Sequence, residues 1–422
     1  MPGIIETAAS CLDAGETGLL HAATALSRIL AQCPCVSETE SVPLTAAHGR
    51  ILAEDLIAPL DVPPRDNSAM DGYALRLQDL SDTEGTVLRR AGRAMAGSPY
   101  GEAVHAGECV RIMTGAPIPD GADTVVIQEQ AMERDGLVHL NPGHRQGQNI
   151  RRRGEDLRAG SVVLERGRRI KAADLGLIAS LGIAEIPVFR RPRVVLFSTG
   201  DELCPLGNTP RSGQIYDSNR YSLRGLLDGH PVETLDLGIV PDDPQRLRQV
   251  LEESSRTADV VISTGGVSVG EADHVKQILA ALGEVRFWKI AIKPGRPLAF
   301  GRLGAGTLFF GLPGNPVAAM VTFVRFVSPA LERIAGLGPR PPLTFEVPCL
   351  DALRKVPGRT EFQRGRLQPD AQGRLRVKVT GRQGSGILHS MSQADCLIVL
   401  EHDRGPVAEG EMVTVQPLPG WI

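Results

Sequence analysis

The sequence predicts a multidomain α/β plus β protein, with a central doubly wound α/β domain, a small β domain inserted ahead of it, and a C-terminal β-barrel domain. Three observations predict this. The 422 residues correspond to roughly three domains at ~150 residues each. Between Arg190 and about Gly338, short apolar runs alternate with amphipathic segments, as in a mainly parallel sheet covered on both faces. On either side of that stretch, short strand-like runs are separated by Gly and Pro.

From Glu16 to about Gln32, Leu19, Leu20, Ala23, Leu26, Ile29 and Leu30 recur at helical spacing and predict an amphipathic helix. A second short helix is predicted around His48 to Leu56. Pro59, Pro63 and Pro64 then break the chain ahead of a loop from Arg65 to Gly72. Runs such as Cys109 to Met113 and Thr124 to Ile127 read as strands of the inserted β domain. A helix from Lys171 to Leu181 and a strand from Glu185 to Val188 follow, and this piece is expected to pack with the N-terminal helices. In the central domain the predicted strands are Val194 to Phe197, Val232 to Leu237, Val260 to Ile262, Val285 to Ile292 and Leu308 to Phe310. The helices between them are Asn219 to Leu227, Pro244 to Ser254, Asp273 to Leu282 and Asn315 to Ile334. After the Pro339-Arg340-Pro341-Pro342 break, the last ~80 residues alternate again. The expected boundaries are 16–60 with 150–189 for an N-terminal helical and linking domain, 61–149 for the inserted β domain, 190–338 for the α/β domain, and 339–422 for the barrel.

Composition narrows the function classes. A net charge of −3 leaves no whole-protein basic footprint for nucleic acid. No apolar run approaches the ~18–20 residues of a membrane span, and Met1 to Glu6 lack the build of a signal peptide. Seven scattered cysteines include no C-x-x-C, and Cys33-Pro34-Cys35 lacks the second pair that a zinc site needs. A cytoplasmic protein with reduced thiols, no nucleic acid and no membrane is expected. Only six of the 46 basic residues are lysine, yet Lys289 and Lys293 fall within five positions. Lysine is a compact point charge and arginine a planar fork, so that choice can be chemical.

Ligands of open α/β sheets bind beyond the carboxyl ends of the strands. There the chain carries Ser198-Thr199-Gly200-Asp201-Glu202, Pro241-Asp242-Asp243-Pro244, Ser263 through Asp273, Lys293-Pro294-Gly295-Arg296-Pro297 and Gly311 through Pro316. The glycine-rich stretch fits neither G-x-G-x-x-G nor a Walker loop. Its Gly265 and Gly266, with the hydroxyls of Ser263, Thr264 and Ser268, suit an oxyanion pocket before a helix, although a tight strand–helix turn explains them equally. Glu202, Asp242 and Asp273 share the rim with Lys289, Lys293 and Arg296. Cations suit a polyanion, and carboxylates tolerate one when a divalent metal intervenes. Oxygen-only donors point to Mg²⁺ and to chemistry at a phosphoanhydride. Helix capping is the other role open to Asp242 and Asp273.

These segments resemble the molybdopterin molybdenumtransferase family, which includes the gephyrin E domain. Asp66 through Ala74, Met113-Thr114-Gly115-Ala116-Pro117, Asn149 to Asp156 and Leu312 to Pro316 are similar to its signatures, and the resemblance runs from about Thr17 to about Pro417. It implies an elongated four-domain subunit, a homodimer, and a central molybdopterin-binding domain. The implied reaction inserts molybdenum from molybdate into adenylated molybdopterin, with Mg²⁺, and releases AMP. Asp66, Asp71, Thr114, Asp156, Glu202, Asp242, Asp273, Lys289 and Lys293 match its catalytic positions, with Glu202, Asp242 and Asp273 as the metal set. Arg151, Ser263, Gly265, Gly266, Ser268, Arg296, Pro313 and Pro316 are the expected substrate-binding residues. Turn formation is the alternative role of Asp66 and Asp71, and loop shaping that of Pro313 and Pro316. The adenylyltransferase and molybdoenzyme acceptors are the implied partners. Molybdopterin adenylylation and a non-catalytic gephyrin-like scaffold are the alternative functions.

Overall fold

The computed structural model describes residues 19–265, 273–338 and 340–418. By internal contacts the chain divides into two units, one of Met1–Glu40, Gly49–Ile51 and Phe189–Ile422, the other of Ser41–His48 and Leu52–Val188. The first helix, α1, is Ala22–Ala31 and buries Ala25 and Ile29. It starts later than the periodicity predicts, because Leu20 is extended and bridges Ile290. The region from His48 to Leu56 is not helical. Gly49 takes a left-handed φ of 75°, Leu52 bridges Val188, and Leu56–Ile57 pairs with Val162–Leu164, so its apolar residues are buried by pairing.

The unit of Ser41–His48 and Leu52–Val188 contains a six-stranded mixed sheet. Its strand order is Thr124–Ile127, Gly72–Leu75, Glu108–Ile112, Thr86–Ala94, Leu137–Leu140 and Ala131–Arg134. Alternation places Tyr73 and Leu75 in a core with Leu88, Val126 and Val138, and Ala74 in another with Val110, Ile112 and Val125. A third core joins Val42, Leu52 and Leu56 to Leu164, Ile170, Ile178 and Val188, so the linking segment packs with the His48–Leu56 region, which is extended and not the expected helix, while α1 belongs to the other unit. Its helix, α2 (Ala172–Ser180), is capped by Asp174, which accepts from the Lys171 N–H at 2.9 Å.

The other unit is built on a six-stranded sheet ordered Glu233–Val240, Arg193–Thr199, Val260–Thr264, Thr307–Leu312, Pro297–Leu303 and Gly283–Lys289. The first four run parallel, whereas Pro297–Leu303 is antiparallel to both neighbours. Helices α3 (Asn219–Asp228), α4 (Pro244–Thr257) and α5 (Asp273–Leu282) lie between the strands. Val195, Phe197, Val261 and Phe309 pack against Leu247, Val250 and Leu251 of α4 and Ile278 and Leu279 of α5. Asp243 caps α4 and Pro244 opens it, both standard start signals. The long predicted C-terminal helix is α6 (Pro316–Thr322) and α7 (Ser328–Ile334) joined by one π turn.

One predicted strand, Val285 to Ile292, divides. Gly283–Lys289 joins the central sheet, while Ile292–Lys293 pairs with Thr360–Pro369 of the C-terminal sheet. That sheet continues through Cys396–Leu400 and Met412–Pro417 to Phe345–Pro348, with Leu375–Val379 beside Thr360–Pro369. A bridge from Cys349 to Val377 returns one edge to the other and closes the barrel around Val377, Ile398, Val413 and Val415.

Candidate functional site

In the central sheet, the predicted residues collect beyond the carboxyl ends of the parallel strands. Thr199 and Val240 are register partners, so Glu202 and Asp242 follow neighbouring strand ends. The Glu202 carboxylate lies over Gly200, in space that a side chain there would fill. Asp242 is exposed, and the capping role belongs to Asp243, which accepts from the Arg246 N–H at 2.7 Å. Asp273 opens α5, but its side chain, with Gly266 and Ser268, lies outside the described residues. Among the described residues no three His, Cys, Asp or Glu side chains gather as a metal cluster.

Buried hydrogen bonds fix these loops. Asn219, the first residue of α3, donates from Nδ2 to Thr264 Oγ1 at 2.8 Å and to the Gly314 carbonyl at 2.7 Å. It thereby ties the loops after Val260–Thr264 and Thr307–Leu312. Gly265 turns with φ 87°, and a Cβ there would overlap the Thr199 carbonyl. Ser198 Oγ donates to Asp217, which is 2% exposed and also accepts from Arg220 Nε at 2.9 Å. Arg220 reaches on to Asp236 at 2.7 Å. Burial opposes the Arg220 charge, but its two carboxylate partners outweigh that and raise its pKa. Pro313 is buried behind the loop and Pro316 starts α6, so both shape backbone.

The cations stand at the same edge, since Lys289 and Pro297 are register partners. Lys289, Lys293 and Arg296 are all exposed. Lys293 Nζ donates to Glu361 Oε2 at 3.2 Å; the lysine side chain is 51% exposed and the carboxylate 5%. Three strand positions on, Arg364 is 1% exposed and, among the described residues, has no carboxylate partner. Its guanidinium donates to the Gln383 and Gly384 carbonyls and to Ser390 Oγ, and burial lowers its pKa to about 10. The loop it holds touches the site, because the Ser385 carbonyl accepts from the Val317 N–H of α6 at 3.1 Å. Glu361, Arg364 and Asn219 escaped the sequence reading. The strand of Glu361 and Arg364, Thr360–Pro369, is mostly polar in sequence, so neither residue stood out from its neighbours.

The unit of Ser41–His48 and Leu52–Val188 carries its own set. Asp71 Oδ1 accepts from both the Thr114 N–H and Thr114 Oγ1, each at 2.7 Å, and these bonds hold its carboxyl below the usual range. Asp66 accepts from the Arg153 N–H and from Arg152 Nη1, each at 2.7 Å, which likewise lowers it. Ile150–Arg151 pairs with Asn67–Ser68, while Ser68 exchanges backbone bonds with Gly115 and Ala116. Asp66, Asp71, Thr114 and Arg151 therefore lie on three loops stitched into one edge. Arg151 and Asp156 are exposed; the run's two ion pairs fall to Arg152 and Arg153.

Comparison with known proteins adds a second line. Residues 20–182 match the MoeA N-terminal region (domain I and II), residues 195–333 a probable molybdopterin binding domain, and residues 346–418 the MoeA C-terminal region (domain IV). The chain is 45% identical over 395 residues to the molybdopterin molybdenumtransferase of Haemophilus influenzae, covering 93% of this chain and 97% of that one. It is 34% identical to a Dictyostelium discoideum gephyrin, covering 96% of this chain and 63% of that protein. The molybdopterin biosynthesis moeA protein of Pyrococcus horikoshii superposes with a TM-score of 0.83 at 29% identity, over 95% of this chain and all of that one.

Proposed function

This chain belongs to the molybdopterin molybdenumtransferase family, and from that premise we propose how its residues serve molybdenum insertion into molybdopterin in molybdenum cofactor biosynthesis. Molybdate supplies the metal to the dithiolene of adenylated molybdopterin: two Mo–S bonds form as one molybdate oxygen leaves as water, and a water oxygen takes the phosphorus as the phosphoanhydride P–O bond breaks and AMP leaves. The observation that carries this reading is the carboxyl edge of the central sheet, where Lys289, Lys293 and Arg296 stand exposed beside loops pinned by Asn219. Lys293 meets the incoming oxyanion, with Glu361 holding its ammonium in place. The glycine-rich segment that begins at Gly265 is assigned to the phosphate oxygens, as glycines ahead of a helix let backbone N–H groups approach an anion. Arg364 and Gln383 set the loop that carries Ser385 against the start of α6.

Glu202 and Asp242, with Asp273 at the head of α5, are the oxygen donors that suit Mg²⁺, which when bound neutralises substrate phosphate charge. Asp71, oriented by Thr114, and Asp66, with Arg151 and Asp156, contribute substrate contacts from their own unit. A cytoplasmic homodimer is part of the proposal. So is the four-part division at 16–60 with 150–189, 61–149, 190–338 and 339–422. The test is incubation of the pure protein with adenylated molybdopterin, molybdate and Mg²⁺, following AMP. Molybdate- and Mg²⁺-dependent AMP release is expected. The folded Asp273→Asn variant should lose most of it; wild type that releases no AMP overturns the reading.

A further inference from the structure

The unit of Ser41–His48 and Leu52–Val188 contains a cleft of about 340 Å³ whose lining includes Arg65, Asp66, Pro99, Tyr100, Ile118 and Asp120. We propose that this cleft takes the pterin ring of the substrate, a 2-amino-4-oxo fused pyrimidine, an assignment that rests on the functional reading above.

The walls are fixed before any ligand arrives. Tyr100 lies across Gly92 of the strand Thr86–Ala94, where any Cβ would overlap its ring. The Val104 N–H donates to the Asp120 carbonyl at 2.8 Å, and Gly121 makes the following turn with φ 85°. The Ile118 N–H donates to the Asp66 carbonyl at 3.0 Å. Three anchored walls with prolines between them make a preformed cleft within the usual size range of small-molecule sites.

Its chemistry is specific. Asp66 is committed to Arg152 and Arg153, and Glu102 accepts from the Tyr100 hydroxyl at 3.4 Å. Among the described residues, no side-chain hydrogen bond or ion pair engages the Arg65 guanidinium or the Asp120 carboxylate. An aromatic face, an uncommitted guanidinium and an uncommitted carboxylate thus share one cleft. A guanidinium donates to the 4-oxo oxygen of such a ring, as arginine does to O6 of guanine. A carboxylate accepts from the amino group and ring N–H on the opposite edge, and tyrosine supplies the stacking face. Adenine offers one amino donor beside a ring nitrogen that repels a carboxylate, so it fits poorly.

The probe is 6-carboxypterin, titrated by its fluorescence into the full-length protein, with GMP and AMP as competitors. Wild type should bind it, GMP should displace it, and AMP should not. Arg65→Ala and Tyr100→Ala should each weaken binding by about tenfold or more, while Tyr100→Phe keeps the stack and binds like wild type. Arg65 is exposed, so its variant tests the idea even where Tyr100→Ala does not fold. No binding up to about 1 mM, equal binding by a folded Arg65→Ala, or equal displacement by AMP overturns the assignment. If wild type releases AMP from adenylated molybdopterin but Arg65→Ala keeps the same KM for it, the cleft assignment alone fails. If wild type releases none, the functional reading fails first.

Discussion

Lys293 is exposed at its tip, yet its partner Glu361 is almost wholly buried, so the lysine neutralises a carboxylate while it faces solvent. Lys293→Ala should therefore act twice, removing a charge-assisted contact and stranding Glu361. We expect the molybdate concentration for half-maximal AMP release to rise about 10–150-fold, from roughly 1.5–3 kcal/mol for one charged contact. Lys293→Arg should recover only part of this, because a fork needs fixed geometry. Adding Glu361→Gln to Lys293→Ala should restore stability in urea without restoring molybdate use; recovery of both would make Lys293 purely structural. A second residue reports on pH. Burial pushes Asp259 up, but bonds from Arg190, at 2.7 and 2.9 Å, and from the Arg193 N–H hold its carboxyl below its ordinary value of 3.8. That stabilisation is present above about 3.8 and is lost as pH falls toward the lower folded value. Asp259→Asn should thus lower the urea midpoint at neutral pH and reduce its fall between about pH 5 and about pH 3. An unchanged fall would show that other carboxylates carry it. Both partners were hard to read in sequence. Glu361 and Arg364 sit on a strand buried on both faces, where polar–apolar alternation carries no signal.

At the scale of elements, the central helices were legible because each has a start signal, such as Asp243-Pro244 or Pro316, followed by regular spacing. The segment around His48 misled because Ile51, Leu52 and Leu56 have helical spacing but are buried by strand pairing after a left-handed glycine. The strand from Val285 misled because one apolar run serves two sheets. Pro297–Leu303 was missed altogether, since a flanking proline and Gly301 interrupt its pattern. The turn at Gly265 was legible from its glycines, whereas the Asn219 bond that anchors the preceding Thr264 was not, because that contact spans 45 residues. Gly265→Ala tests the loop directly. The new Cβ would overlap the Thr199 carbonyl at a φ of 87°, so about 1–3 kcal/mol of strain is expected. The urea midpoint should drop and AMP release should fall sharply; normal turnover would show that the loop relaxes without consequence.

At the scale of the whole molecule, the two units hold separate cores, one set around Phe197 and Val415, the other around Leu75 and Ile178. Unfolding should therefore not be two-state, and fluorescence and far-UV circular dichroism should give non-coincident urea transitions. One sharp, superimposable transition by both probes would show a single cooperative block. The order in which the chain is made matters too. Helix α1 packs on α7, the Val36 N–H donates to the Ile334 carbonyl, and Arg333 Nε donates to the Cys33 carbonyl 300 residues earlier. A ribosome adding about 5–20 residues each second needs roughly 15–60 s to cover that span. Throughout that interval α1, with Ala25 and Ile29, lacks the α7 surface, although the unit that ends at Val188 is complete well before α7 is made. The nascent chain thus trails an unpartnered apolar helix through most of its synthesis, the kind of segment that a ribosome-associated chaperone shields.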